Sequence, residues 1–158
     1  MTLRILITGS RDWSDRRAIT TALFDTAMQH FAALGEEPST APVVVHGGAR
    51  GADILAEAAA RFLGWRTEKW PADWNRNGKA AGPIRNQQMV DAGADICLAF
   101  PLGESRGTRD CMRRAEQAGI RVVDVPEQTR IKAALDEMTT EAAQLGLYET
   151  TADPKDTR

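Results

Sequence analysis

Short apolar runs alternate with helix-spaced patterns along most of this chain, and that alternation constrains the fold more than any other feature. The runs Arg4 to Thr8, Val43 to His46, Ile96 to Phe100 and Ile120 to Val125 are rich in Val, Ile and Leu, and each ends in glycine, proline or polar residues. Between them Ile19, Leu23, Ala27, Phe31 and Leu34 share one helical face, as do Ile54, Leu55, Ala58 and Phe62. Strands that are apolar throughout have no face to give to water, and parallel neighbours need a crossover that a helix supplies. The pattern predicts an α/β fold, a Rossmann-like three-layer α/β/α arrangement with a mainly parallel sheet.

A weaker strand is read at Arg66 to Trp70. The segment Pro71 to Lys79 that follows shows neither period and reads as a long loop over a site. From Glu127, residues Ile131, Leu135, Met138, Ala142 and Leu145 mark one more amphipathic helix, suited to pack on the sheet or on a second subunit. With 158 residues the expected organisation is a single domain over 1–148. Its core spans 4–125, its C-terminal helix covers about 127–145, and 149–158 form a flexible tail.

Charge and cysteine content exclude several classes. Twenty basic and twenty-two acidic residues leave a net charge of −2, without the positive excess of a non-specific nucleic-acid binder. Nucleic acid is therefore not the expected partner, and any anion site must be local. Cys97 and Cys111 provide neither a disulfide framework nor zinc-ligand spacing, which indicates a reducing, cytoplasmic setting with no metal and no cofactor. The N-terminal run turns polar at Thr8 and Gly9, too early for a signal-peptide core, and no later run is long enough to span a bilayer.

In an open parallel sheet ligands sit beyond the carboxyl ends of the strands, where helix N-termini present free N–H groups. Three strands here run into glycine-bearing segments: Gly9-Ser10-Arg11, His46-Gly47-Gly48-Ala49-Arg50-Gly51-Ala52-Asp53, and Pro101-Leu102-Gly103-Glu104-Ser105-Arg106-Gly107-Thr108. Glycine lets a ligand oxygen reach main-chain amides, and Arg11, Arg50 and Arg106 add forked donors. Charge-assisted bonds from arginine to phosphate are worth about 1.5–3 kcal/mol each, so two such bonds suffice to orient a nucleotide phosphate. Other phosphate and hydrolase motifs are missing. His46 stands where a G-x-G-x-x-G fingerprint needs its first glycine, Gly78-Lys79-Ala80 lacks the Ser/Thr of a P-loop, and neither H-E-x-x-H nor G-x-S-x-G occurs.

The series ITGSRDW, VVHGGARGAD, PADW, GPIRNQQMVDAGAD and LAFPLGESRGT, spread over about residues 4 to 125, resembles the YspA-like branch of the SLOG superfamily. That superfamily is similar in fold to the Lonely guy phosphoribohydrolases and to DNA processing protein A. The resemblance implies a Rossmann-like domain that binds a nucleotide or nucleotide-derived small molecule, and with the last amphipathic helix it points to a homodimer. Lonely guy enzymes hydrolyse the N-glycosidic bond of a nucleoside monophosphate with an arginine from R-K-x-x-M and a glutamate from P-G-G-x-G-T-x-x-E. Arg85-Asn86-Gln87-Gln88-Met89 matches the first segment with asparagine for lysine, which puts Arg85 at a helix start facing the crevice. The second segment departs further: the position three after Thr108 is Cys111, and the nearest acid is Asp110. An oxocarbenium-like sugar needs a carboxylate, so Asp110, Asp53 and Asp73 are the candidates to stand beside Arg85 in any cleavage.

Several of these residues have a structural reading as well. Arg11 and Arg106 suit surface ion pairs, Asp53 a first-turn acid offsetting the helix dipole or a ligand to ribose hydroxyls, and Trp74 a hydrophobic plug or a base-stacking lid. Trp13, Trp65 and Trp70 read as packing residues, Cys97 as core, Cys111 as a thiol activated by a helix N-terminus, and His46 as a turn-fixing hydrogen-bonder. Three functions follow: a phosphoribohydrolase-like enzyme, a non-catalytic sensor of a nucleotide signal, and, against the net charge, a single-stranded DNA binder.

Overall fold

The computed structural model describes residues 2–35 and 40–144. Five strands, β1 (Arg4–Gly9), β2 (Val43–His46), β3 (Arg66–Lys69), β4 (Ile96–Phe100) and β5 (Arg121–Asp124), form one sheet in the order β3-β2-β1-β4-β5. Every pairing is parallel, with Leu6 opposite Val45 on one side and Cys97 on the other. The helices are α1 (Arg16–Leu34), α2 (Ala52–Phe62), α3 (Trp74–Asn77), α4 (Ala81–Asp91), α5 (Arg106–Gln117) and α6 (Val125–Gln144), with a 3-10 turn at Gly78–Ala80. The fold is thus α/β and Rossmann-like.

Alternation along the strands divides the core in two. Ile5, Ile7, Val44, Leu98 and Phe100 point to the α1 and α2 side, where they meet Ile19, Leu23, Ala27 and Phe31. Leu6, Val43, Val45 and Cys97 point to the α4 and α5 side, against Met89, Val90, Cys111 and Ala115. Strand β3 lies at the sheet edge with the sequence RTEK and no fully buried residue, so its apolar signal is weak. Asp15 caps α1 by accepting from the Ala18 N–H at 2.9 Å.

Three sequence expectations are corrected. Helix α2 buries Ala52, Asp53, Ala56, Ala59 and Ala60, while Ile54 and Phe62 stand exposed at 43% and 84%. Its first turn lies so close to β1 that a Cβ on Gly9 would collide with Ala52, and only small side chains fit between helix and sheet at such a separation. Leu34 is also exposed, one turn beyond the buried stripe of α1. The long loop expected over Pro71 to Lys79 contains α3 and the 3-10 turn, because Asp73 accepts from the Arg76 N–H at 3.0 Å and closes a single helical turn. A helix of one turn is too short for periodicity to reveal.

The chain divides into two compact units, Met1–Val125 and Pro126–Arg158. Helix α6 begins at Val125, two residues before the expected start, and in the second unit it shows Ile131, Leu135 and Met138 exposed. Leu145 and the proposed tail lie outside the described residues. Among the described residues no helix is long and apolar enough to cross a membrane.

Candidate functional site

The chain builds β1, β2 and β3 outward in one direction and then returns across β1 to start β4, so the order of winding reverses between β1 and β4. Helices leave the sheet on opposite faces at such a point and open a crevice beyond the strand ends. A cavity of about 580 Å³ lies there. Thr8, Gly9, Ser10 and Arg11 reach it from the end of β1, Asp53 from α2, Trp74 from α3, Arg85 and Asn86 from α4, and Arg106, Gly107, Thr108 and Asp110 from α5. A second cavity of about 620 Å³ is lined by Gly47, Gly48, Arg50, Pro71 and Ala72 and shares Arg11, Ala49, Trp74 and Arg85 with the first. Gly47 and Gly48 after β2 and Gly107 after β4 therefore line different cavities, joined by a common wall to which Ala49 belongs.

Arg85 sits in the second turn of α4, not at its start, because the helix begins at Ala81 and holds Pro83 within its first turn, where a missing N–H costs nothing. Its Nη1 donates to the Gly47 carbonyl at 2.7 Å and more weakly to the Trp70 carbonyl at 3.4 Å, while Nε donates to Asn86 Oδ1 at 3.2 Å. Each acceptor is neutral, and Arg85 forms no ion pair among the described residues. The absence of a side chain at Gly47 gives the guanidinium its place: a Cβ there would fall inside it.

Asp53 is 5% exposed, and its Oδ2 accepts from the Gly47 and Ala49 N–H groups, both at 3.1 Å. Burial pushes its carboxyl up to about 6, against the pull of the Ala49 amide, Arg85 and the Gly47 amide. Its first task is thus to shape the loop after β2. His46 assists, accepting from the Gly48 N–H at Nδ1. Burial lowers the His46 pKa, and its Nε2 has no hydrogen-bond partner among the described residues. Gly51, at φ 76°, has its Cα packed against the Ser10 and Arg11 carbonyls, a backbone approach that a side chain would block.

On the far side, Asp110 accepts from Arg113, from Arg114 Nε at 2.8 Å and from Asn86 Nδ2 at 3.1 Å. Partial burial raises its pKa, yet the Arg114 and Asn86 hydrogen bonds and the charges of Arg114 and Arg113 outweigh it and hold the carboxyl below its ordinary range. Ser105, before α5, has φ 31° and spends its hydroxyl on the Leu102 backbone, donating to O at 2.6 Å and accepting from N at 3.1 Å. No side chain caps α5, so the free amides of its first turn are left for another acceptor beside the cavity.

The other arginines differ. Arg50 pairs with Asp12 at 3.1 Å and Arg106 with Glu104 at 3.6 Å, both far out in solvent. Arg11 stacks 5.7 Å from the Trp74 ring centre and, like Arg85, forms no ion pair among the described residues. Gly51, Asp73, Pro101 and Gly103 line neither cavity, and Asp73 is occupied as the α3 cap. Cys111 is fully buried with its thiol pushed up to about 11 by desolvation, so the activated-thiol expectation fails. Trp13, Trp65 and Trp70 pack on the cores, Trp13 edge-on to Phe100 at 5.3 Å. Asn86, 4% exposed at the cavity wall, is not among the site residues expected from the sequence, where it stands out only as asparagine in place of lysine beside Arg85.

The sequence model of the YspA, cpYpsA-related SLOG family matches residues 3–77. Gene 61 protein of Mycobacterium phage D29 is 52% identical over 126 residues, covering 77% of this chain and 94% of that protein. The chain belongs to the YspA-related SLOG family. Among solved structures, this SLOG chain is similar to DNA processing protein A from Streptococcus pneumoniae, with a TM-score of 0.41 and 17% identity. The alignment covers 77% of the SLOG chain and spans 58% of the DNA processing protein chain.

Proposed function

We propose that this chain binds a nucleotide or nucleotide-derived small molecule through its phosphate, held by Arg11, Arg85 and the amides at the start of α5. The observation that carries this reading is that, of the four cavity-lining arginines, the two without ion pairs among the described residues stand on the wall common to both cavities. A guanidinium that forms no ion pair in a concave site is a ready partner for phosphate, and both volumes fall in the range of small-molecule pockets. Trp74, half exposed at the rim, offers a face for a base. Membership of the SLOG family supports a nucleotide-related role.

Calorimetry with AMP and adenosine tests the reading. AMP should bind in the micromolar range; Arg85→Ala should weaken binding about ten- to a hundredfold, the loss of one charge-assisted contact, and removal of the phosphate, which loses the contacts to both arginines, should weaken it further. A nucleotide panel without phosphate-dependent binding contradicts it.

A second reading, cleavage of an N-glycosidic bond, is favoured by two carboxylates in the first cavity. Asp53, at about 6, exchanges its proton near neutral pH as a general acid or base must, and Asp110, held ionised, suits a cationic sugar. Free base released from nucleoside monophosphates and seen by chromatography supports this reading; ligand returned intact leaves a nucleotide-signal sensor.

A further inference from the structure

We infer that Asn86 is a positioning residue that keeps the Arg85 guanidinium available to an anion by standing between it and the Asp110 carboxylate. The inference rests on the phosphate-binding reading of Arg85. Its basis is one buried side-chain amide whose two ends face opposite charges. Oδ1 accepts from Arg85 Nε at 3.2 Å, and Nδ2 donates to Asp110 Oδ2 at 3.1 Å and to the Gly107 carbonyl at 3.2 Å.

The orientation of this amide follows from its neighbours. A guanidinium only donates, whereas a carboxylate and a carbonyl only accept, so the oxygen must face Arg85 and the NH₂ must face α5. Arg85 and Asp110 line the same cavity, within reach of opposite ends of one amide. Without the amide they are free to meet as an ion pair, and a paired guanidinium has less charge to offer a ligand. With the amide in place, the bonds of Arg85 go to neutral oxygens, while Asp110 also accepts from Arg113 at Oδ1 and from Arg114 at Oδ2.

Charged and aliphatic residue types cannot do both tasks. Lysine has no acceptor for Arg85, aspartate would itself pair with Arg85, and an aliphatic side chain would leave both neighbours open to each other. The bond to the Gly107 carbonyl adds a second effect: it ties α4 to the first turn of α5, setting Arg85 at a fixed distance from the free amides there.

The test uses the full chain with AMP as probe and, without ligand, the hydrogen exchange of the Arg85 Nε–H by ¹⁵N NMR, its resonance assigned through Arg85→Lys. Asn86→Ala should weaken AMP binding at least tenfold, and adding Asp110→Asn should restore it to within threefold of the native value. The Arg85 Nε–H should stay protected in Asn86→Ala and exchange at least tenfold faster only when Asp110→Asn is added. If Asn86→Ala does not fold, the exchange variant Asn86→Asp/Asp110→Asn gives up the bond to the Gly107 carbonyl but sets a carboxylate directly on Arg85, and should also lose AMP binding tenfold.

Native affinity in Asn86→Ala, no restoration in the double variant, or undiminished binding in the exchange variant would overturn the inference. If native protein binds no AMP, the phosphate-binding reading falls, and the ligand-free exchange rates still decide the placement of Arg85: equal rates in the single and double variants refute the spacer.

Discussion

At Gly47 the missing side chain and the Arg85 guanidinium occupy the same space, so Gly47→Ala should displace the guanidinium and leave the backbone in place, the intruding atom being the end of a flexible chain. The expected outcome is AMP binding weakened about tenfold, by part of a charge-assisted bond, with a melting temperature near the native one. Calorimetry and thermal unfolding check it. Asp53 carries a pH signature. Because its folded pKa of about 6 lies above the unfolded value, its contribution to stability is full below about pH 4 and lost as pH rises through about 6. Stability of the native chain relative to Asp53→Asn should therefore fall by about 2–3 kcal/mol between pH 4 and 7, measured by denaturant titration; a flat difference contradicts it. Arg85 and Gly47 were legible in the sequence because their motifs name them. The loop-shaping role of Asp53 was not, since it depends on the Gly47 and Ala49 amides turning back toward α2, which no spacing in the sequence records.

Helix α2 shows how an element is read correctly in kind and wrongly in face. Its periodicity identifies a helix, but hydrophobicity selects the Ile54, Ala58 and Phe62 side, while the closeness of Gly9 and Ala52 selects the alanines. Ala56→Leu should cost about 1–3 kcal/mol by overpacking, and Phe62→Ser, at an exposed position, about 0.5 kcal/mol or less, both measured by chemical denaturation. The reverse order would restore the sequence-based face. Helix α3 is a different case: one turn held by the Asp73 cap leaves no periodic trace, so a segment with helical geometry reads as loop. The strands were the most legible elements, because β2 and β4 are buried along their whole length and are apolar throughout apart from His46 at the end of β2; β3, at the edge, was the faintest.

For the whole molecule, the parallel sheet follows from the alternation of strands and helices, and the position of the site follows from the sheet. What the sequence does not contain is the strand order, and with it the reversal between β1 and β4 that gathers Ser10, Arg85 and Thr108 around one cavity and leaves Gly48 and Arg50 on the next. Arg85, lining both, joins the Gly47 segment, 38 residues before it, to the Gly107 segment that follows it, and the account of function depends on this convergence. A crystal structure of the chain with AMP tests it most directly. The account predicts the phosphate at the wall shared by the two cavities, with its oxygens about 3 Å from the guanidinium of Arg85 and within reach of Arg11. A phosphate bound elsewhere, with Arg85 still turned only to the Gly47 carbonyl, would contradict it.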